Sequence, residues 1–281
     1  MLIQPSQWII ILSSAVMLIW PHQRFKCAAL LAIGYGLMGW HQQITLWTLL
    51  PIGLLLLAAL LIRSRKIVPW QQVIGHLLFI GVAVLLLRHQ FPGFNNPLVV
   101  KQRLTSDAAP YAFFLNIDKP LIGFWILLTW PFIQLCWPNR RQYPGLLLNA
   151  TLTILLCSFV ALQLTMVSWA PKWPWFGWIW VINNLLLVSM AEEALFRGYL
   201  QEGLKRQLGT SYLGTLFAIT GAALLFGIMH YAGGWHWVGV ASLAGIGYGI
   251  AYHHSGWPAA VITHFTVNLL HFLCLTYPQL R

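Results

Sequence analysis

The sequence predicts an all-α, polytopic transmembrane helical bundle. Apolar residues make up 59% of the 281 residues and charged residues only 7%, whereas a soluble domain of average composition carries about 25% charged residues. A chain with so few charges lacks the side chains needed to cover a water-facing surface. The apolar segments are continuous and Leu-rich, without the alternation of a barrel strand. Because only helices and closed barrels satisfy their backbone hydrogen bonds in lipid, we expect these segments to be helices and not strands.

Ten apolar segments stand out, and eight to ten of them are expected to span the membrane at roughly 20 residues each. The second and the ninth are short for a complete span, so each could be tilted, re-entrant or paired with a neighbour. The first segment has no basic region before it and no small-residue cleavage site after it, so we expect a retained span. The segments lie at about 7–21, 27–41, 44–62, 71–87, 120–137, 145–168, 177–197, 213–231, 236–252 and 257–276.

The net charge of +11 comes mainly from short basic clusters between apolar segments, and not from one face or tail. This distribution excludes a nucleic-acid partner and instead predicts membrane orientation, because basic residues collect in cytoplasmic loops. Four clusters follow odd-numbered segments, which places the N-terminus outside, although the loop at 88–119 on the other side is also basic. The 16 Trp suit the two membrane interfaces. The clusters contain Arg24 and Lys26; Arg63, Arg65 and Lys66; Arg140 and Arg141; and Arg197, Lys205 and Arg206.

Two regions are expected along the chain. Residues 1–170 form N-terminal transmembrane helices with a polar loop near 88–119, where the turn signals Pro92, Gly93 and Pro97 lie. That loop is either a plain connector or an ordered cap. Residues 171–281 form a helical core that contains the polar motifs.

Only five residues are acidic, and three of them, Glu192, Glu193 and Glu202, lie within eleven positions. An ionisable residue inside a span indicates a functional site. Glu193 and Arg197 are four apart in the order that favours an ion pair on a helix. Glu192 is rotated by about 100° from Glu193, so it points elsewhere and is available as a general base. The alternative is that both glutamates only neutralise basic residues at the interface.

Histidines are concentrated after the acidic pair, and six of the ten lie between His230 and His271. Phe226 and His230 are four apart, and so are His264 and Asn268, which puts each pair on one helix face. A buried His–Asn pair near a buried glutamate pair favours a site over simple packing. We expect interfacial or packing roles for the remaining four, which are His236, His253, His254 and His271.

Three motifs in order, Glu192-Glu193-x-x-x-Arg197, Phe226-x-x-x-His230 and His264-x-x-x-Asn268, resemble the pattern of the CAAX prenyl protease and bacteriocin-processing (CPBP, Abi or Rce1-like) membrane peptidases. The resemblance covers about residues 177–276. It implies an intramembrane endopeptidase of the glutamic type, with its site in a conical cleft among the C-terminal helices. Glu192 and His230 would activate a water, and His264 and Asn268 would stabilise the oxyanion. Glu193, Arg197 and Phe226 would support these residues.

Other intramembrane protease chemistries lack their signatures in this sequence. No HExxH string occurs, both Asp residues lie in the loop at 88–119, and the nearest approach to GxSG is His253-His254-Ser255-Gly256. The four Cys show no metal-site spacing. Zinc remains an alternative because Glu and His donors suit it, but an Asn oxyanion donor needs no metal, so we expect no cofactor.

Two alternatives outside catalysis remain. A non-catalytic scaffold or immunity protein would be expected to lose one of the polar positions, and a small-solute transporter to show broken helices in corresponding halves. The expected partners are a membrane-anchored protein or peptide substrate and the lipid bilayer. A multi-pass location in a bacterial inner (cytoplasmic) membrane follows as an expectation from the compact loops.

Overall fold

The computed structural model describes residues 5–63 and 68–281, and most of them are helical, which confirms the predicted fold class. The basic residues Arg65 and Lys66 lie outside the described residues. Within the described residues, five helices are long and apolar enough to cross a membrane, and the chain is an integral membrane protein. These five are Leu46–Arg63, Pro69–Leu87, Tyr143–Gln163, Gly177–Leu208 and Trp235–Cys274, and shorter apolar helices are Ser6–Met17, Pro120–Thr129 and Tyr212–Ile228.

One compact unit contains the first five helices. Its helices are α1 (Pro5–Met17), α2 (Arg24–Trp40), α3 (Leu49–Arg63), α4 (Pro69–Leu87) and α5 (Pro120–Thr129), with 3-10 turns at Pro21–Gln23 and Leu46–Thr48. Helices α1 and α2 pack as a pair, as do α3 and α4. Gly34 lies against Ile11, and Gly75 lies against Leu61 and Ile62. Small residues at these crossings let the helix backbones approach closely, as is usual in membranes.

The polar loop is ordered around the buried carboxylate of Asp118 in this unit. Asp118 accepts hydrogen bonds from the His89 ring at 2.7 Å and from the Asn96 amide at 3.3 Å. Asn96 also accepts from the backbone N–H of Ile117 at 2.7 Å, and Tyr35 donates to the Ile117 carbonyl at 2.7 Å. The loop is therefore more than a plain connector, because its polar side chains fix its path.

The polar loop also contains two short strands, which the sequence did not predict. Strands β1 (Leu98–Gln102) and β2 (Tyr111–Phe114) form a two-stranded sheet within the polar loop. An open sheet edge is not tolerated in contact with lipid. These strands are only five and four residues long and lie between the apolar segments, where that restriction does not hold.

The second compact unit comprises Leu98–Phe113 and Phe132–Arg281. Its helices are α6 (Tyr143–Gln163), α7 (Gly177–Leu208), α8 (Tyr212–Ile228) and α9 (Trp235–Cys274), with a 3-10 turn at Tyr231–Gly233. Helix α9 packs against both α8 and α6. This unit contains all three motifs.

Several predicted boundaries differ from the structure. The segment predicted at 120–137 is helical only to Thr129, just before Pro131, because proline disfavours helical backbone at the residue that precedes it. The segment predicted at 177–197 extends to Leu208 as α7. Within α7, Asn184–Ser189 and Ala194–Gln201 are π-helical, and they enclose the α-helical turn Met190–Glu193.

The two last predicted segments are one long helix with a break between them. Gly256 has φ +77° within α9, which separates the stretches predicted at 236–252 and 257–276. A Cβ atom there would lie 2.9 Å from the carbonyl oxygen of Gln134 and 2.8 Å from Cys136 Sγ. Both the left-handed backbone and the close approach therefore require glycine. His253, half-buried, and His254, exposed, precede this break.

A C-terminal strap, residues 275–281, runs back over the unit after α9. Its backbone pairs with two other segments: Thr276 N–H donates to the Ser168 carbonyl at 2.8 Å, and Ala109 N–H donates to the Gln279 carbonyl at 2.9 Å. The carboxylate of Asp107 accepts hydroxyl hydrogen bonds from Thr105 at 2.6 Å, Ser168 at 2.8 Å and Thr276 at 3.2 Å. These hydrogen bonds lower the pKa of Asp107. The bond from Thr105 has the largest effect, followed by the bond from Ser168.

Candidate active site

The first motif begins on the α-helical turn of α7 with Glu192 and Glu193 and ends in the second π-helical part, which contains Arg197. Glu193 and Arg197 are fully buried, and Arg197 Nε donates to Glu193 Oε2 at 2.9 Å. The predicted ion pair between positions four apart is therefore present. A charged pair without access to water has to be matched closely, because each charge alone would be costly to bury.

Glu193 is also hydrogen-bonded to His264 of the third motif. The ring Nδ1 of His264 lies 2.8 Å from Glu193 Oε1, so Arg197 and His264 engage the two different oxygens of one carboxylate. His264 Nε2 lies 3.8 Å from Glu192 Oε2. His264 is thus the link between the two adjacent glutamates, a contact that the spacing within the first motif did not predict.

Aromatic rings hold His264 and Arg197 in place. Tyr248 stacks on the His264 ring with centroids 4.5 Å apart and planes within 12° of parallel. The Arg197 guanidinium lies 5.5 Å from the Phe226 ring centroid and 5.8 Å from that of Tyr248. Its two Nη atoms are buried and have no hydrogen-bond partner within residues 5–63 and 68–281. The ring faces provide part of the electrostatic environment of this cation.

The second motif begins in the last turn of α8 with Phe226 and ends at His230, two residues beyond the helix. His230 Nδ1 is 2.9 Å from the carbonyl oxygen of Phe226. Because a carbonyl only accepts, Nδ1 carries the proton, and in the neutral ring Nε2 is then an acceptor. The Phe226 ring lies 4.7 Å from His230 and 5.5 Å from His264. Phe226 therefore fixes one histidine through its backbone and contacts both through its ring.

Asn268 lies one helical turn after His264 on α9, as predicted. Its Nδ2 donates to Asn184 Oδ1 at 3.3 Å, and the hydroxyl of Ser189 donates to the same oxygen at 3.3 Å. Asn184 begins the first π-helical part of α7. The oxyanion donor suggested by the resemblance is therefore connected to the helix that carries the acidic pair.

All four residues proposed to be catalytic line one cavity of about 470 Å³. Phe226 lines it as well, whereas Glu193 and Arg197 lie behind the wall. Most of the remaining wall is apolar, and among the residues that the structure describes Glu192 is the only one that contributes a carboxylate to it. The lining also includes Cys157, Ser158, Ala161, Val167, Asn184, Val188, Met229, Trp237, Val240, Ala241, Ala244, Tyr248, Val267, His271, Leu275, Tyr277, Pro278 and Gln279.

Three features of this cavity were not predicted from the sequence. Asn184 lies eight residues before Glu192, close to two helical turns, so helical periodicity could have indicated it. Tyr248 has no comparable signal, because its position depends on how α9 packs against α8. His271 was expected to pack, and it does contact the Trp237 ring and the Thr276 carbonyl, but it also lines the cavity.

The Glu and His side chains of this site are also possible metal ligands. Over residues 5–63 and 68–281, no group of three or more His, Cys, Asp and Glu side chains is arranged to hold a metal ion. The imidazole Nδ1 of His264 and one oxygen of Glu193 are already bonded to each other. The independence from metal remains a prediction to be tested in solution.

Comparison with known proteins yields one match. Residues 173–270 match the model of the family described as type II CAAX prenyl endopeptidase Rce1-like. No curated protein and no solved structure matches the chain significantly. The matched range contains all three motifs and begins close to the predicted start of the core at residue 171. The resemblance drawn from the motifs is thereby confirmed, and residues 173–270 of this membrane protein are similar to the Rce1-like family.

Proposed function

We propose that the protein is an intramembrane endopeptidase that hydrolyses a peptide bond of a membrane-associated substrate. The observation that carries the proposal is that Glu192 on α7, His230 just beyond the end of α8, and His264 and Asn268 on α9 all line one cavity. The match to a protease family supports peptidase activity. The glutamic mechanism is the finer part of the proposal and rests on the geometry of these side chains.

Water activation is assigned to Glu192 and His230. Amide hydrolysis requires a base for the attacking water, and a carboxylate within an apolar wall suits that role. The water oxygen would bond to the substrate carbonyl carbon while its proton passes to the Glu192 carboxylate. His230, with Nδ1 held by a carbonyl at 2.9 Å, presents Nε2 as an acceptor that orients the water. When the C–N bond breaks, the proton held by Glu192 passes to the leaving amine.

Oxyanion stabilisation is assigned to Asn268 and His264. The substrate carbonyl oxygen gains negative charge as the water adds, and donors aimed at that oxygen lower the barrier. Asn268 offers an amide N–H. Because His264 Nδ1 faces the Glu193 carboxylate at 2.8 Å, an N–H at Nε2 requires the doubly protonated ring. The Glu193 carboxylate would then offset the positive charge of the His264 ring, and Arg197 would hold that carboxylate in place.

The cavity wall favours an uncharged, apolar substrate segment. Apart from Glu192 and the histidines, the wall consists of uncharged side chains, including the small residues Ala161, Ala241 and Ala244. A charged segment would lose its hydration there without gaining a partner. We therefore propose a membrane-anchored protein or peptide as substrate. The proposed location, a bacterial inner membrane, rests separately on the compact loops between the apolar segments.

The test uses the full chain in nanodiscs with internally quenched peptides, each carrying an acyl anchor and one of a panel of uncharged sequences. Glu192→Gln should reduce cleavage by at least ~100-fold, the scale of losing a general base. Glu202→Gln is the matched control: Glu202 is equally buried, at 8% exposure, in the same helix, but it contacts Gln134 and is not part of the cavity wall. Near-normal cleavage by Glu192→Gln would exclude this role, and an equal loss in both variants would indicate a fold defect.

A further inference from the structure

Asn184 is a buried polar residue that belongs to none of the three motifs. It is 7% exposed and lines the cavity. An amide in an apolar wall is costly unless its polar atoms are bonded. Its neighbour Asn183 is similarly buried at 5% but does not line the cavity, and its Oδ1 has no hydrogen-bond partner among the described residues. The two adjacent asparagines therefore differ in their surroundings and not in their chemistry.

The amide oxygen of Asn184 receives two donors, the Asn268 amide and the Ser189 hydroxyl, each at 3.3 Å. Asn268 has two N–H groups on Nδ2. One of them is taken by Asn184, which leaves the other for a further acceptor. A side-chain amide that is tied at one N–H no longer turns freely about its terminal torsion, so the direction of the second N–H is set.

We propose that Asn184 is a positioning residue that aims the Asn268 amide at the developing oxyanion. The inference rests on the proposed function, in which Asn268 donates to that oxygen. A donor of this kind is effective only when it is oriented before the reaction, because reorientation during the reaction would consume part of the stabilisation. Asn184 acts through Asn268 and has no need to touch the substrate. Its loss should therefore reduce kcat and leave KM nearly unchanged.

The kinetic test is a double-mutant cycle, carried out with the anchored peptide that the unaltered protein cleaves fastest. Asn184→Ala should lower kcat by ~10- to 100-fold, the effect of a small misplacement of a catalytic group, with KM within about twofold. In an Asn268→Ala background the same change should have no further effect. Asn183→Ala, the matched control, should leave both constants unchanged.

A second measurement reads the hydrogen bond without any substrate. The chain has eight asparagines, so selective ¹⁵N labelling in micelles gives a small set of side-chain amide signals, and Asn268→Ala identifies the pair from Asn268. Asn184→Ala should shift that pair, and Asn183→Ala should not. An unshifted pair, or a kcat loss that is fully additive with Asn268→Ala, would overturn the inference. If Glu192→Gln stays active, the proposed function fails instead, and the amide signals still report on the contact.

Discussion

Replacing Arg197 with alanine would remove the cation from a fully buried ion pair. Arg197 and Glu193 have no exposed side-chain surface and are joined at 2.9 Å. Breaking a buried pair from one side typically costs about 3–5 kcal/mol, because the remaining charge keeps its desolvation cost. His264 would still contact the other carboxylate oxygen at 2.8 Å, so we expect the lower half of that range. Even 3 kcal/mol is a large part of the roughly 5–15 kcal/mol that stabilises a typical folded protein.

The chain supplies a convenient assay for this loss. Cys27 and Cys157 are buried and Cys136 is exposed, so a thiol-reactive dye in a Cys136→Ser background would report unfolding as buried thiols become accessible. A cost of about 3 kcal/mol should lower the apparent midpoint by roughly 6 °C or more. Arg206→Ala is the control, because this exposed guanidinium lies 3.6 Å over the Phe132 ring and such contacts contribute about 0.5–1 kcal/mol.

A double variant separates an unpaired charge from lost packing. Glu193→Gln combined with Arg197→Met removes both charges at similar volume, so it should recover much of the midpoint lost in Arg197→Ala. If Arg197→Ala unfolds no earlier than Arg206→Ala but is slow in catalysis, then Arg197 contacts the substrate and the ion-pair reasoning is refuted.

Three further predictions follow from the site and from the strap. Asn268→Ala should reduce kcat by ~100- to 1000-fold, as the loss of one oxyanion donor does, with KM within about twofold; a loss confined to KM would assign Asn268 to substrate binding. Purified protein should contain no stoichiometric metal and should tolerate strong chelators, whereas one tightly held zinc per chain with activity that tracks its content would contradict this. The pKa of Asp107 is lowered by hydroxyl donors, chiefly Thr105 and then Ser168, so the ionised carboxylate stabilises the fold above its ordinary pKa of 3.8 and this contribution is lost as the pH falls through the folded-state value. The midpoint difference between the unaltered protein and Asp107→Asn should therefore shrink on acidification, and a difference independent of pH would exclude this linkage.

The helical fold and the buried ion pair could be predicted because each rests on a local signal. Apolar runs identify spans by length, and a separation of four residues puts two side chains on one helix face. The pairing of Glu193 with Arg197 follows from the same rule and is present at 2.9 Å. These signals depend only on neighbours along the chain.

The features that were missed depend on contacts between distant segments. The strands β1 and β2 are short and lie outside the apolar runs, so a search based on hydropathy did not find them. The approach of His264 to Glu193 joins positions 71 residues apart, and the contact between Asn268 and Asn184 joins positions 84 residues apart. Neither spacing nor composition determines which side chains meet across two packed helices.

The π-helical parts of α7 have a consequence for how this helix tolerates insertion and deletion. A π turn closes its hydrogen bonds one residue later than an α turn, so Asn184–Ser189 sets the angular relation between the residues before it and Glu192 after it. Deleting one residue from this part would turn everything on one side by about 100° relative to the other. Asn184 and Glu192 would then no longer face the same cavity. Single-residue length changes in this short stretch should therefore be far more damaging than substitutions, even at positions whose side chains contact nothing in the site.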